Sequence, residues 1–174
     1  MKIKMPLIWL FASSLFSCSD PFLEENTSIE IPINILGNIE QEYLTRVNDA
    51  GFTDGDQMGV FVVDYTNGVA GELTEGGNRA NNVSFTLNGE TNRWVGASTI
   101  YWKDANTAID CYGYYPYENS IESVTKHSFT IEPDQSDKSI HGNMNGYEKS
   151  DFLWAKATNV QPTKNAIKLN YTHI

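Results

Sequence analysis

The sequence predicts an all-β fold, an antiparallel β-sandwich, on three observations. No segment keeps a helical period over ten or more residues. Short runs of apolar or strictly alternating residues recur along the chain, separated by clusters of Gly, Asn, Asp, Pro and Ser. And the run Met58–Val63 (MGVFVV) is short, β-branched and aromatic, the pattern of a strand buried on both faces.

Taken in order, the first strand is Ile29–Leu36 (IEIPINIL). Ile29, Ile31, Ile33 and Ile35 fall on one face, and Glu30, Pro32 and Asn34 on the other. Pro32 cannot donate to a ladder, so this strand belongs at an edge or pairs along only part of its length. Residues 37–46 read as a polar connector ending in Thr45-Arg46, an isolated basic site. The turn Thr53–Gln57 follows, with Gly55 suited to a positive φ and Asp54 and Asp56 able to cap turn N–H groups. It feeds the Met58–Val63 strand. Residues 67–82 carry several glycines without periodicity and read as a long loop or broad hairpin.

Val83, Phe85 and Leu87 alternate with Ser84, Thr86 and Asn88, a half-buried strand stopping at Asn88-Gly89. Trp94-Val95 and Ile100-Tyr101-Trp102 are short apolar pieces, and residues 103–107 form a turn. Residues 108–117 (AIDCYGYYPY) make an aromatic strand, with Gly113 marking a bulge or a close contact and Pro116 ending it. Residues 127–132 are predicted as a strand with Phe129 and Ile131 inward, and residues 151–155 as another. In the last strand, residues 166–172, Ile167, Leu169 and Tyr171 share one face.

The N-terminus does not belong to this fold. Lys2 and Lys4 precede a short apolar run, Met5–Phe16, of signal-peptide length and too short to span a bilayer. It ends in Leu15-Phe16-Ser17-Cys18, which resembles a bacterial lipobox: cleavage before Cys18 and acylation there would give two or three lipid chains, enough for stable anchoring. The expected organisation is a lipoprotein signal peptide (residues 1–17), a lipid-anchored acidic tether (18–28), a detachable leading strand and linker (29–46) and a β-sandwich (47–174). With Cys18 lipidated, Cys111 has no partner for an intrachain disulfide and reads as a buried core thiol.

The chain is 174 residues long with a formal net charge of −10, enough for one core that buries roughly two-thirds of the unfolded surface. The acidity argues against nucleic acid, whose binding depends on Lys and Arg neutralising phosphates. No catalytic constellation is present, so no enzyme, metal or cofactor is expected. His127, His141 and His173 lack metal-ligand spacing, and no glycine-rich motif precedes a helix. Asp54 and Asp56 lack the further oxygen ligands of a calcium loop and read as turn caps. The rings of Tyr112–Tyr117 read as core and cover; the competing reading is a sugar-stacking face.

Across most of the chain these residues form a familiar series. It comprises the lipobox, Thr45-Arg46, Phe52-x-x-Gly55-Asp56-x-x-Gly59-Val60-Phe61, Asn82-Val83-x-Phe85, Tyr101-Trp102 and Tyr112-x-Tyr114-Tyr115-Pro116-Tyr117. Asp134-Gln135-Ser136, Ser150-Asp151-x-Leu153-x-Ala155 and Leu169-x-Tyr171-x-His173 complete it. In this order and spacing the chain resembles the fimbrillin (Mfa-like) family of lipid-anchored pilins and pilus-tip proteins. The resemblance implies a transthyretin-like β-sandwich, non-enzymatic, exported to the outer membrane through its lipid anchor. It also implies cleavage by an arginine-specific protease between Arg46 and Val47. The strand bearing Ile29, Ile31, Ile33 and Ile35 would then leave, and other pilin subunits would fill its groove by β-strand addition. The family continues beyond the position of Ile174, so a domain incomplete at its C-terminus is expected. The alternative from another class is a surface glycan-binding lipoprotein of a polysaccharide-uptake system, which needs neither the arginine nor a displaceable strand.

Overall fold

The computed structural model describes residues 30–39, 51–121, 123–124, 126, 128–134, 136 and 150–174. Among the described residues eight strands form: β1 (Ile35–Ile39), β2 (Gln57–Thr66), β3 (Val69–Ala70), β4 (Ala80–Asn88), β5 (Arg93–Gly96), β6 (Ile109–Tyr115), β7 (Leu153–Val160) and β8 (Ile167–His173). Their order is β1-β8-β7-β6-β2-β4-β5, with β3 extending the end of β2. The predicted all-β class holds, and all neighbouring strands are antiparallel except β1 and β8, which run parallel from Ile35↔Ile167 to Ile39↔Tyr171. These are the first and last described strands. Their connection is the whole domain between them, long enough for the crossover that a parallel pair demands.

The sheet folds over on itself as a sandwich. Met58, Val60 and Val62 of β2, Ile109, Cys111 and Tyr115 of β6, and Phe85 and Leu87 of β4 point into the space between the layers. There they meet Ile167, Leu169 and Tyr171 of β8 and Leu153 and Ala155 of β7. Tyr171 crosses this core, its hydroxyl 2.8 Å from Met58 Sδ. Gly113 lies beneath it: a Cβ there would fall onto the Tyr171 hydroxyl and Leu169 Cδ1. So Gly113 is the close-contact point foreseen, within regular pairing to Val60 and Ala155.

The β2 run is buried on both faces, as its composition predicts. Phe61 points away from the main core and packs against Tyr114, whose ring also stacks near Phe152. Gly59 makes room for that ring, which covers the position of any Cβ there. Before the strand, Gly55 takes φ +86°, and Asp56 accepts the Thr53 N–H at 2.6 Å. Asp54 reaches farther than its own turn and accepts the Gly89 N–H at 2.6 Å, tying the β4–β5 turn to this one.

Four expectations need correction. Residues 37–39 belong to β1, not to a polar connector. The expected loop over residues 67–82 is shorter, because Asn67 and Gly68, both at positive φ, make a tight turn between β2 and β3. This is the Asn-Gly signature of a type I′ hairpin. β4 then begins at Ala80. The stretch 128–132 forms no strand, and Ile131 is 60% exposed. β7 runs to Val160, past the predicted end at 155; beyond Ala155 only Ala157 and Val160 pack against the core, with a register shift between them, so the apolar alternation fades from the sequence there.

Candidate functional site

The leading segment closes the seam where the two ends of the sheet meet. Its N-terminal part bonds to one side: the Trp102 N–H donates to Ile31 O at 3.0 Å, and the Ile33 N–H donates to Ile100 O at 2.8 Å. Pro32 bridges Tyr101 there in antiparallel sense. Its C-terminal part bonds to the other side, where the Ile167 N–H donates to Asn34 O at 2.8 Å and the parallel ladder with β8 begins. The segment is thus terminal in the strand order and paired only in part along either flank, as Pro32 requires.

The isoleucine face is seated in the core. Ile33 and Ile35 are 4% and 5% exposed, Ile31 and Ile39 pack partly buried against them, and Asn34 and Asn38 face solvent. Burying two isoleucines contributes about 1.5–3 kcal/mol each. The period-two face continues past Ile35 through Gly37 to Ile39. The seat's wall is aromatic. Phe52 meets Trp94, Tyr115 and Tyr171 edge-on at 5.0, 5.3 and 5.3 Å between ring centres. Trp102 is buried and anchored through its indole N–H to Thr163 O at 3.1 Å.

The other residues singled out in the sequence have structural surroundings. Asp54 and Asp56 are turn caps, and Asp56 also accepts the Tyr115 hydroxyl at 3.3 Å. Among the described residues no three His, Cys, Asp or Glu side chains gather into a metal-binding group. Of the tyrosines proposed for a sugar-stacking face, Tyr114 and Tyr115 turn inward, and Tyr117 is half-buried with its hydroxyl 3.2 Å from Asn119 Oδ1. Tyr115 lies in the main core. Tyr114 is 1% exposed, with its hydroxyl donating to Asn82 Oδ1 at 2.6 Å, and burial pushes its phenol up to about 12. Tyr112 is half-buried beneath the Lys156 ammonium, 4.7 Å from its ring centre. Cys111 is fully buried, which pushes its thiol up to about 12, the inert core cysteine foreseen.

The sequence reading missed Asp110, a buried carboxylate on β6. Its Oδ1 accepts the Tyr65 hydroxyl and the Asn159 N–H, both at 2.9 Å, and its Oδ2 lies 3.1 Å from Lys156 Nζ and 3.3 Å from the Tyr112 hydroxyl. Burial opposes its charge, but the Asn159, Tyr65 and Lys156 donors outweigh that and hold its pKa below the ordinary value. It sits where the β6–β7 register shifts, next to Asn159 at φ +51°, and so pins an irregularity in the sheet. A lone Asp between Ile109 and Cys111 was the available signal.

Of the residues predicted to act, Ile31, Ile33 and Ile35 come together in the seam. Cys18, Ile29, Arg46 and Val47 lie outside the described residues, as do the segments expected to be signal peptide and tether (residues 1–28), His127 and His141. The family described as fimbrillin-like matches residues 45–174. The fold is similar to a crystal structure of a fimbrial protein from Bacteroides ovatus ATCC 8483, with 22% identity and a TM-score of 0.53 over 84% of this chain and 29% of that one. A candidate cell adhesion protein from Bacteroides uniformis ATCC 8492 aligns with 16% identity and a TM-score of 0.46 over 82% of this chain and 47% of that one. The chain thus spans less than half the length of either protein. No curated protein matches it.

Proposed function

The chain belongs to the fimbrillin-like family, and we propose that it is a lipid-anchored pilus subunit at the cell surface that assembles by exchange of its leading strand. Its role in this reading is structural rather than catalytic. Acylation at Cys18 holds the exported chain in the outer membrane. Cleavage by an arginine-specific protease between Arg46 and Val47 cuts the covalent link between the leading segment and the domain. The segment carrying Ile29, Ile31, Ile33 and Ile35 then leaves, and a strand of another subunit enters.

The observation that carries this reading is the seating of Ile31–Ile39. The segment is terminal in the strand order, contributes Ile33 and Ile35 to the core, and bonds to a different flank with each half. Strand addition supplies main-chain hydrogen bonds for affinity and side-chain pockets for specificity. The surroundings of the described arginines also favour selective cleavage. Arg79 forms a two-pronged pair with Asp64 immediately before β4, and Arg93 is the first residue of β5.

Limited digestion of the full chain with an arginine-specific protease tests it. The first stable fragment should begin at Val47, and Arg46→Ala should abolish it. A stable fragment starting elsewhere, or a pattern unchanged by Arg46→Ala, overturns the processing step. The glycan-binding alternative is disfavoured by the inward placement of Tyr114 and Tyr115.

A further inference from the structure

Gly37 lies at a narrow point of the seam, between Trp94 and Tyr171. A Cβ built on it would lie 3.2 Å from the Trp94 Nε1 and 3.3 Å from the Tyr171 Cε2. The glycine is not there for its backbone, because it is not among the glycines at positive φ. It is there for space. Neither ring can readily retreat. Trp94 and Tyr171 are both buried and both packed edge-on against Phe52. Tyr171 is further held by its hydroxyl contact to Met58 and by lying over Gly113.

The geometry points to a register gate: the seam accepts only a strand carrying glycine at the position of Gly37, two residues after the residue that replaces Ile35. This deepens the strand-exchange reading and rests on it. The occupant is a β-strand of another polypeptide with the pattern apolar-x-apolar-x-Gly-x-apolar, aligned along β8 so that its glycine faces Leu169, as Gly37 does. A strand slipped by two residues would keep its apolar face inward but drive a branched side chain into Trp94 and Tyr171. The gate therefore selects register where alternation alone would tolerate a two-residue slip.

The gate and ordinary strand preference predict opposite outcomes for one substitution. Valine is the better strand former, so preference alone makes Gly37→Val bind more tightly; the gate makes it bind more weakly. The test uses the full chain cleaved after Arg46 and three fluorescent synthetic peptides covering residues 30–39. One is unchanged, one carries Gly37→Val, and one carries Asn38→Val at the neighbouring solvent-facing position. The unchanged and Asn38→Val peptides should be taken up, and Gly37→Val should bind about tenfold to a hundredfold more weakly, the scale of an overpacked core.

In the uncleaved chain, Gly37→Val should strip hydrogen-exchange protection from the Trp102 and Ile167 amides, and Asn38→Val should leave it intact. Equal uptake of all three peptides, or unchanged protection in Gly37→Val, overturns the gate and leaves strand exchange standing. Uptake of none of the peptides overturns strand exchange, and the gate with it.

Discussion

Ile33→Ala is the perturbation that most directly weighs the leading segment. Ile33 is 4% exposed and lies between the Ile100 and β8 flanks of the seam. Truncating a buried isoleucine to alanine costs about 2–5 kcal/mol, from lost transfer energy and the cavity left behind. The near-complete burial of this site puts the expected loss at about 3–4 kcal/mol. Ile31, only half-buried, should lose roughly half as much. Asn34→Ala, on the solvent face, should fall within about 0.5 kcal/mol of the parent. Urea unfolding of the full chain measures the three losses.

Amide exchange says where they fall. The Trp102 and Ile167 N–H groups donate to the segment itself, at Ile31 O and Asn34 O. If the segment opens apart from the rest, Ile33→Ala should deprotect these two amides first. The amides paired between β2 and β6, such as those of Phe61 and Val63, should keep their protection. Adding Ile35→Ala should then cost less than the sum of the two single changes. Once the segment has left, weakening it further no longer destabilises the remaining core. A loss below about 1 kcal/mol for Ile33→Ala would refute the seating. Uniform deprotection of every strand would refute the segment's independence.

Two further outcomes test features away from the seam. Asp110 has a folded pKa below its ordinary 3.8, so its charge contributes stability that is complete above that value and is lost as pH falls through 3.8 towards the folded value. Asp110→Asn should therefore cost about 1–3 kcal/mol at neutral pH, with the gap to the parent narrowing below about pH 4 in urea titrations; parallel curves would remove the carboxylate from the account. Cys111, buried with its thiol pushed up to about 12, should resist alkylation in the native chain and react only on unfolding, read by mass mapping of its peptide; rapid native labelling would contradict its burial.

Much of this was legible in the sequence because it depends on period two. Ile31, Ile33 and Ile35, then Ile167, Leu169 and Tyr171, alternate with polar residues; all but the half-buried Ile31 are buried as that alternation requires. The Met58–Val63 run announced a strand with two covered faces, and the structure supplies both covers. What was not legible depends on contacts distant along the chain. The parallel pairing of β1 with β8 joins residues 35–39 to 167–171, and no local pattern encodes it. Gly37 looked like the start of a connector because a glycine after an alternating run usually ends a strand; only the approach of Trp94 and Tyr171 explains it. The Asn67-Gly68 turn carried a readable signal, obscured by the glycines that follow. Asp110 appeared as a polar break in an apolar strand, whereas its four donors come from β2, β6 and β7.

The glycines at 37 and 113 have a common cause. Gly113 on β6 and Gly37 on β1 lie against the same tyrosine, one below its hydroxyl and the other beside its ring. Tyr171 thus spans the sandwich from the fixed layer to the seam. Anything that seats it firmly against Met58 and Gly113 also stiffens the wall that Gly37 passes. In the strand-exchange reading, the selectivity of the seam is therefore set within the core rather than by the leading segment. A substitution such as Gly113→Ala, far from the seam on the β6 strand, would displace the Tyr171 ring and alter which residue fits at the position of Gly37, although it touches no atom of the leading segment.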